Sequence, residues 1–335
     1  MVTAPRISAI LPVYNGRRFL RAAVESALAQ SLPPCELIVV DDGSQDGSLA
    51  ELEGLPPAPF PVRVLRQENA GQSASRNRAA RQAEGEFLAF LDQDDQWYPM
   101  HLEKLVEPLL ADPAVGWAYS DFDEMDLAGN LVTRAFLKIQ GVVHPKRTIF
   151  ECVAGDLMVL PSASLIRRAA FEAAGGFDET LSGYEDDDLF VRIFRLGWDH
   201  AFVDRPLVRF RVHAAGSSAS SRFLDSRLRY AEKLVAMLPD DPRMLRYYVA
   251  DGIAPRFFLT SLDDYVRSCS ARDWDGARLA LKAVNHFARL RRQSLRLRWK
   301  LAWIQRPRLF RLLMSVNDGL PYRTRFMRNP TVRLR

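Results

Sequence analysis

One stretch restricts the possible fold more than any other: the apolar residues Phe87 to Leu91 run without a break into Asp92, Asp94 and Asp95. An unbroken apolar run of this length, ended by charge, predicts a strand buried on both faces. Open α/β sheets place ligands at the carboxyl ends of such strands. Because three carboxylates within four residues repel one another, we predict a site for Mg²⁺ or Mn²⁺ with a diphosphate. An acidic turn that caps the next helix is the alternative.

Strand and helix patterns alternate four times through the first ninety or so residues of the chain. The predicted strands cover residues 7–13, 36–40, 62–65 and 87–91. This alternation is typical of parallel βαβ units and predicts an α/β fold, with a mostly parallel sheet and helices on both faces. No glycine-rich G-x-G-x-x-G or G-x-x-x-x-G-K-[ST] motif follows any strand, which argues against dinucleotide-binding and P-loop proteins.

Polar residues follow each predicted strand, and the carboxyl ends of parallel strands meet at one edge of a sheet. That edge collects Tyr14, Asn15, Asp41, Asp42, Arg76, Asp92, Asp94 and Asp95. Such a collection suits a nucleotide, with acids for base, ribose and metal and an arginine for phosphate. A plain turn is the alternative for the segment 41–44, because Asp, Gly and Ser are common turn residues.

Seven motifs occur in order along residues 6–220. They are Pro12-x-Tyr14-Asn15, the run 39–47, Asn69-x-Gly71 with Ser75-Arg76-Asn77, Leu91-Asp92-x-Asp94-Asp95, Gly176-Phe177-Asp178-Glu179, Glu185-Asp186-x-Asp188-Leu189-x-x-Arg192 and Arg211-x-His213. In residue types and spacing this set resembles the family 2 glycosyltransferases, which are inverting enzymes with a GT-A fold. The resemblance says little about the rest of the chain.

The resemblance implies a role for each matching position. Asp41 would accept a hydrogen bond from the ring N–H of the base, which suits uracil, thymine or guanine but not cytosine. The nucleotide site would comprise Pro12, Tyr14, Asn15, Asp41, Arg76 and Asp92, and the metal site Asp94, Asp95 and His213. The metal and Arg76 would neutralise charge on the departing nucleoside diphosphate.

The acids 185–188 begin a predicted helix, and the resemblance makes Asp186 the general base that deprotonates the acceptor hydroxyl. It places Glu185 and Ser162 in the acceptor region. A sugar hydroxyl is a poor nucleophile near neutral pH, so direct inversion needs a positioned carboxylate. Acids at a helix N-terminus also stabilise the helix dipole, which is the alternative for the neighbours of Asp186. Asp187 departs from the family pattern, which often has an aromatic residue there.

The segment between these motifs carries three further predictions. The acids Asp121, Asp123, Glu124 and Asp126 beside a predicted hairpin turn suggest a solvated face rather than a second metal site. Residues 138–146 lack periodicity and suit a loop over the acceptor site, and residues 157–166 suit a strand.

Charge divides the chain into two parts of opposite sign. Residues 1–221 hold 21 Lys+Arg and 31 Asp+Glu, a net charge of −10, whereas residues 222–335 hold 25 and 10, a net charge of +15. We therefore predict a catalytic domain over 1–221 and a basic helical region over 222–335. Residues 286–335 mix basic residues with Trp and Leu. They suit peripheral contact with an anionic membrane or packing on the catalytic domain. No nucleic-acid-binding fold accompanies the charge.

These observations together predict a cytoplasmic, metal-dependent, inverting glycosyltransferase, with the inner face of the plasma membrane as a candidate place of attachment. Three widely spaced cysteines and the lack of a long apolar stretch agree with that compartment. The donor would be a nucleotide sugar, with a UDP-sugar favoured, and the acceptor a surface polysaccharide or lipid-linked oligosaccharide. Two alternatives remain open: a nucleotidyltransferase, and a non-catalytic scaffold that binds sugar nucleotides.

Overall fold

The structure, a computed structural model, describes residues 4–212, 221–291, 305, 307 and 308. The chain forms two compact units, which divide between Tyr230 and Ala231. The division falls within a helix, α8, whose bounds are Ser221–Met237. The functional assignment of 1–221 and 222–335 stays a prediction.

The first unit is built around a nine-stranded sheet with the order β3-β2-β1-β4-β8-β6-β9-β5, with β7 paired to β6. The strands are β1 Ile7–Val13, β2 Glu36–Asp41, β3 Val62–Arg66, β4 Phe87–Phe90, β5 Gln96–Trp97, β6 Val115–Met125, β7 Leu131–Thr133, β8 Ser164–Arg167 and β9 Asp199–Arg211. The predicted α/β class, a mostly parallel GT-A-type sheet, is confirmed.

The first four strands of the sheet run parallel, with β1 between β2 and β4 and β3 outside β2. Every residue of β1, β2 and β4 is buried, as their largely apolar sequences predict. In this register Val13 lies beside Asp41. The loops after β1, β2 and β4 therefore meet at one edge. β8 runs antiparallel to both β4 and β6, and β6 is parallel to β9.

Helices cover both faces of this sheet. They are α1 Leu20–Leu28, α2 Gln72–Gln82, α3 His101–Ala111, α4 Phe136–Ile139, α5 Ile149–Ala154, α6 Arg168–Ala173 and α7 Glu185–Arg195. Alternate residues of a strand point to opposite faces. Ala89 of β4 accordingly joins a core with Val24 of α1 and Leu105 of α3. Its neighbour Phe90 contacts Phe171 of α6 on the other face, with ring centroids 5.7 Å apart.

Two short segments differ from the sequence prediction. The helix expected between the second and third predicted strands is a short 3₁₀ helix, Ser48–Leu52. In the predicted strand 157–166, the part Pro161–Ala163 is another 3₁₀ turn, and the strand begins only at Ser164. Pro161 lacks the N–H that a ladder needs, which explains the late start of the strand.

The second unit contains the helices α9 Ala254–Ala271 and α10 Trp274–Leu290, preceded by a π-helical turn at Tyr248–Ile253. The rings of Phe257 and Phe287 lie 5.6 Å apart between α9 and α10. The Asp273 side chain accepts the backbone N–H of Gly276 and caps α10. The prediction of a helical C-terminal region is confirmed for α9 and α10. In the part of the chain that the structure describes, every helix is too short or too polar to cross a bilayer.

The prediction of a solvated acidic face is wrong for two of its four members. Asp121 and Asp123 of β6 are buried. The Asp121 carboxylate accepts the backbone N–H groups of Leu137 (2.8 Å) and Lys138 (3.2 Å). Asp123 accepts the N–H of Ala135 at 2.8 Å. These donors belong to the start of α4, where helical N–H groups have no partner within the helix. The two carboxylates therefore anchor the start of α4, and the backbone donors replace water as their hydrogen-bond partners.

We predict that Asp121→Ala lowers the free energy of unfolding by about 1–3 kcal/mol, because it leaves buried N–H groups at the start of α4 without an acceptor. Urea unfolding followed by tryptophan fluorescence measures the change. Glu124→Ala, a half-buried acid on the same strand, is the control and should change stability by less than the Asp121 variant. Equal effects of the two variants would contradict the anchoring role.

Candidate active site

The loop after β1 is tied to the loop after β2 through Asn15. Its backbone N–H donates to Ser44 Oγ (3.0 Å), and its side-chain Oδ1 accepts the N–H of Gln45 (2.9 Å). Asn15 has a φ of 49°, a conformation that asparagine tolerates better than most residues. Pro12, the first residue of this motif, is buried within β1 beside Val40. The motif thus positions the loop.

Gln93 is a site residue that the sequence analysis missed. Its side chain clamps Tyr14, accepting the backbone N–H of Tyr14 (2.9 Å) and donating to its carbonyl oxygen (3.1 Å). A Cβ at Gly16 would meet the end of the Gln93 side chain, so a larger residue there would displace the amide from its contact with Tyr14. Gly16 was the one sequence feature that could have pointed to this contact. The Tyr14 side chain remains about half exposed at the edge of the sheet.

Asp41 and Asp42 are neighbours with different surroundings. The Asp42 carboxylate accepts three hydrogen bonds, from Gln67 Nε2 and from the backbone N–H groups of Ala70 and Gly71. These bonds hold the loop that leads into α2. Asp41 lies at the carboxyl end of β2 and accepts the N–H of Ser44 at 3.0 Å. Its carboxylate keeps acceptor capacity for a further N–H donor.

The Asp92 carboxylate is fixed from three directions. It accepts hydrogen bonds from Arg76 (2.5 Å), Gln72 Nε2 (3.0 Å) and Ser162 Oγ (3.1 Å). Ser162 was predicted for the acceptor region; it is fully buried in the 3₁₀ turn before β8, and its contact is with Asp92. Its placement in the acceptor region stays a prediction, while the observed bond makes it a positioning residue for Asp92.

Arg76 joins the two acidic motifs. Its side chain is 1% exposed, and its guanidinium contacts both Asp92 and Glu185, the latter at 3.3 Å. The guanidinium also lies over the Phe177 ring, 5.1 Å from its centroid. Burial favours the neutral form, but the carboxylates of Asp92 and Glu185 outweigh it and raise the pKa of Arg76. Arg76 is therefore a charged bridge between the end of β4 and the start of α7.

Asn77, the next residue of α2, fixes the segment that precedes α7. Its Nδ2 donates to the carbonyl oxygen of Phe177 (2.8 Å), and its Oδ1 accepts the N–H of Phe177 (2.9 Å). Gly176 has a φ of 74°, and a Cβ there would lie 2.6 Å from Asn77 Oδ1. Helix α2 consequently carries two successive side chains that connect the sheet edge with the acidic start of α7.

The four acids that begin α7 separate into distinct environments. Asp188 pairs with Arg192 at 2.7 Å, and Asp187 is buried. The half-buried Asp186 carboxylate accepts the backbone N–H of Asp187 at 2.8 Å. Burial, followed by the charges of Glu185 and Asp187, raises the pKa of Asp186 well above its ordinary value. A carboxylate with a raised pKa is a stronger base.

The predicted metal ligands Asp94 and Asp95 lie in the segment after β4, in contact with Arg211 at the end of β9. Asp95 is buried, and its Oδ1 accepts the N–H of Arg211 at 2.9 Å. Arg211 Nε donates to the carbonyl oxygen of Asp94 at 2.8 Å. Burial and the charges of Asp94 and Asp92 raise the pKa of Asp95 well above its usual range. The third predicted ligand, His213, lies outside the described residues.

These residues fit a hard divalent cation in donor type. Their ligand atoms are carboxylate oxygens. Among the described residues, the buried Asp95 Oδ2 has no hydrogen-bond donor. Within the same residues, no group of three His, Cys, Asp or Glu side chains forms a complete metal site. A cation at this edge would therefore need further oxygen ligands, which a diphosphate can supply.

The fold and the acidic edge define an α/β protein of the GT-A type. The family model for glycosyl transferase family 2 matches residues 8–175, half of the chain. The chain belongs to glycosyl transferase family 2.

Relatives of this chain carry glycosyltransferase names. RC0461 of Rickettsia conorii, an uncharacterized glycosyltransferase, is 30% identical over 63% of this chain and 35% of its own length. A Bacillus subtilis protein named as a teichuronic acid biosynthesis glycosyltransferase, TuaG, is 31% identical over 44% of this chain and 60% of its own. The chain thus spans about a third of the length of the rickettsial relative.

Solved structures share the fold at low identity. Residues 1–349 of S. aureus TarS, crystallised with UDP-GlcNAc, match with a TM-score of 0.66, 18% identity and coverage of 95% of this chain and 93% of that one. The mannosyltransferase PcManGT from Pyrobaculum calidifontis, in complex with GDP-Man and Mn²⁺, matches with a TM-score of 0.54 and 21% identity, over 96% and 83% of the two chains.

We predict that Arg76→Met lowers the free energy of unfolding by about 3 kcal/mol, because it leaves the carboxylates of Asp92 and Glu185 close together without their shared counter-charge. Arg76→Lys should recover only part of the loss, since one ammonium lacks the fork that reaches both acids. Chemical denaturation measures both variants. Arg81→Met, an exposed position on the same helix, is the control. If Arg76→Met is as stable as that control, the bridge does not support the site.

Proposed function

We propose that this protein is an inverting glycosyltransferase that moves a sugar from a nucleotide diphosphate sugar to an acceptor hydroxyl. The observation that carries the proposal is the Arg76 bridge, which holds Asp92 and Glu185 within reach of one guanidinium. Glu185 is the neighbour of Asp186, so this contact supports a site in which the acidic edge of the sheet binds a diphosphate and Asp186 acts as a base. Transfer with inversion needs these two functions on one substrate pair.

The donor half of the proposed site is the edge formed by the loops after β1, β2 and β4. Asp41 retains the capacity to accept the ring N–H of uracil, which supports a UDP-sugar; guanine and thymine offer the same donor. TarS was crystallised with UDP-GlcNAc and PcManGT with GDP-Man, so nucleotides of both kinds occur on this fold. Tyr14, Asn15 and Pro12 would shape the wall of this half.

Asp92, Asp94 and Asp95 would hold Mg²⁺ or Mn²⁺, with His213 as a further proposed ligand. PcManGT was crystallised with Mn²⁺. When bound, the cation would neutralise charge on the departing diphosphate. Arg76 would add a second positive charge close to Asp92, where the nucleotide sugar is expected. The buried Ser162 and the side chain of Gln72 would hold Asp92 in place during the reaction.

The acceptor half is the N-terminal end of α7. The Asp186 carboxylate would take the proton of the acceptor hydroxyl while that oxygen attacks the anomeric carbon and the nucleoside diphosphate departs from the opposite side. Burial, followed by the neighbouring acids at this helix end, raises the pKa of Asp186, which brings it closer to the operating pH that general-base catalysis favours.

A nucleotidyltransferase explains these observations less well. It would need a basic phosphate loop near the N-terminus, but the Arg17 side chain pairs with Glu51 at 3.4 Å and Arg18 donates to the carbonyl oxygen of Leu127. A nucleotidyltransferase would also leave the raised pKa of Asp186 unexplained. A non-catalytic scaffold would have no use for a base with a raised pKa.

For the acceptor we propose a surface polysaccharide or lipid-linked oligosaccharide, which the name of the relative TuaG supports. We propose a cytoplasmic location at the inner face of the membrane, with peripheral contact through residues 286–335. Of that segment the structure describes 286–291, 305, 307 and 308.

We predict that Asp186→Asn abolishes sugar transfer and leaves nucleotide binding intact, because the amide cannot accept the hydroxyl proton. Thermal stability with UDP, GDP, dTDP or CDP, each with and without Mn²⁺, measures binding. At a hundredfold excess over Kd, a ligand that binds only the folded state adds about 2.7 kcal/mol. Glu172→Asn, at an acid on α6, is the control for transfer. Full transfer by Asp186→Asn would refute the base assignment, and stabilisation by no nucleotide would favour a scaffold.

The pH dependence of kcat/KM tests the environment of the base. Activity needs the deprotonated carboxylate, so it should rise with pH through the raised pKa of Asp186 and be lost below it. Glu185→Gln removes a negative charge that raises this pKa. We therefore predict that Glu185→Gln moves the acid limb to lower pH, whereas Glu172→Gln leaves it unchanged. If Glu185→Gln is inactive and Asp186→Asn active, Glu185 is the base.

A further inference from the structure

The segment of residues 127–150 differs in charge from the rest of the first unit. It contains Arg134, Lys138, Lys146 and Arg147 and no Asp or Glu, although residues 1–221 carry a net charge of −10. Among the residues that the structure describes, none of these four side chains forms an ion pair. The segment is thus a local concentration of unpaired positive charge on an otherwise acidic unit.

The same segment exposes aliphatic side chains. Val132 is 66% exposed, Ile139 65% and Val143 74%. Leu127, Leu131 and Phe150 are exposed as well. Single exposed apolar residues are ordinary on protein surfaces, but a group within one short basic segment marks an interaction surface.

The outward position of these side chains is fixed by the fold. Leu137 of α4 is buried, and the Phe136 ring stacks on Phe122 of β6 with centroids 5.1 Å apart. Asp121 and Asp123 hold the backbone of the same turn. With this side of α4 held against β6, Lys138 and Ile139 are left exposed. Val142 is tied back through its N–H to the carbonyl oxygen of Leu137 at 3.0 Å, and the next residue, Val143, is exposed.

We propose that residues 127–150 form a contact surface for a bilayer that contains anionic phospholipid. Val132, Ile139 and Val143 enter the boundary between headgroups and acyl chains, and Arg134, Lys138 and Arg147 meet the lipid phosphates. Aliphatic side chains interspersed with long basic ones are the composition that this boundary selects, because Lys and Arg keep their charge in water while their stems lie along apolar surface. Anionic lipid attracts this segment in spite of the acidic charge of the unit, since the attraction falls off within a Debye length.

The position of residues 127–150 relates contact with a bilayer to the proposed acceptor half of the site. Its C-terminal end leads into α5, which packs on α7, the helix that carries Asp186. Contact of this segment with a bilayer brings the proposed acceptor half close to the lipid surface. The proposal concerns membrane binding and does not depend on the transfer reaction. Its test therefore measures the surroundings of the segment and not the rate of sugar transfer.

The test uses the full chain with one environment-sensitive fluorophore on Val143→Cys. Cys35, the one native cysteine that is not buried, is replaced by Ser, because Cys152 and Cys269 are buried. The vesicles are either pure phosphatidylcholine or equimolar phosphatidylcholine and phosphatidylglycerol. We expect the emission to shift to the blue with the anionic vesicles and not with the neutral ones.

The matched control carries the fluorophore on Leu110→Cys, an exposed position at the end of α3, 55% exposed. Leu110 precedes the start of β6 and residues 127–150 follow its end. Leu110 lies on α3, outside the proposed contact surface. No shift at 143, or an equal shift at 110, overturns the proposal. Vesicle binding without a shift at 143 assigns the contact to another part of the chain. The absence of any vesicle binding indicates that this surface contacts a protein instead of a membrane.

A paired substitution tests the energetics. Ile139→Asp with Val143→Asp places charge where aliphatic side chains enter the lipid, and we expect roughly tenfold weaker partitioning onto the anionic vesicles. Leu110→Asp is the control and should partition like the unchanged chain. Both changed positions are exposed, so the fold is kept, and circular dichroism verifies it. Unchanged partitioning of the double variant overturns the proposal.

Discussion

The first unit depends on one buried guanidinium. Arg76 is enclosed between the end of β4 and the start of α7, where it contacts Asp92 and Glu185. Two neighbouring carboxylates repel each other, and the guanidinium that they share offsets this repulsion and holds them close. Asn77, on the same helix, fixes the backbone at Phe177, so α2 aligns both acids through successive residues. The proposed donor and acceptor halves therefore form one electrostatic unit.

The acidic residues of this protein divide into those that hold the backbone and those that remain available for a ligand. Asp42 accepts three donors and fixes a loop, whereas its neighbour Asp41 accepts one backbone N–H. On α7, Asp188 is paired with Arg192, while Asp186 keeps a raised pKa. Asp121 belongs to the first kind and anchors the segment proposed to contact lipid. Asp41 and Asp42 are both buried, so the number of donors around each carboxylate, rather than its burial, separates the two kinds.

Much of the fold could be read from the sequence. The largely apolar runs that form β1, β2 and β4 predicted buried parallel strands, because strands covered on both faces have no polar side. The acids after β4 were an equally direct signal. The role of Asp121 was misread, since an acid beside a turn is usually solvated and its partners lie 16 and 17 residues away in α4. Gln93 was missed because a glutamine carries no motif of its own.

The sequence by itself determined the order of the first strands, the polar residues at their carboxyl ends and hence the edge at which a ligand site would form. The hydrophobic pattern of a segment is a local property of the sequence, so these features can be predicted without a structure. Only the tertiary structure decided which carboxylates are paired, which are buried and which basic segment remains exposed. The bond between Arg76 and Glu185 joins residues 109 positions apart. Such pairing, and the pKa values that follow from it, depend on the three-dimensional surroundings of each charge, which no local pattern contains.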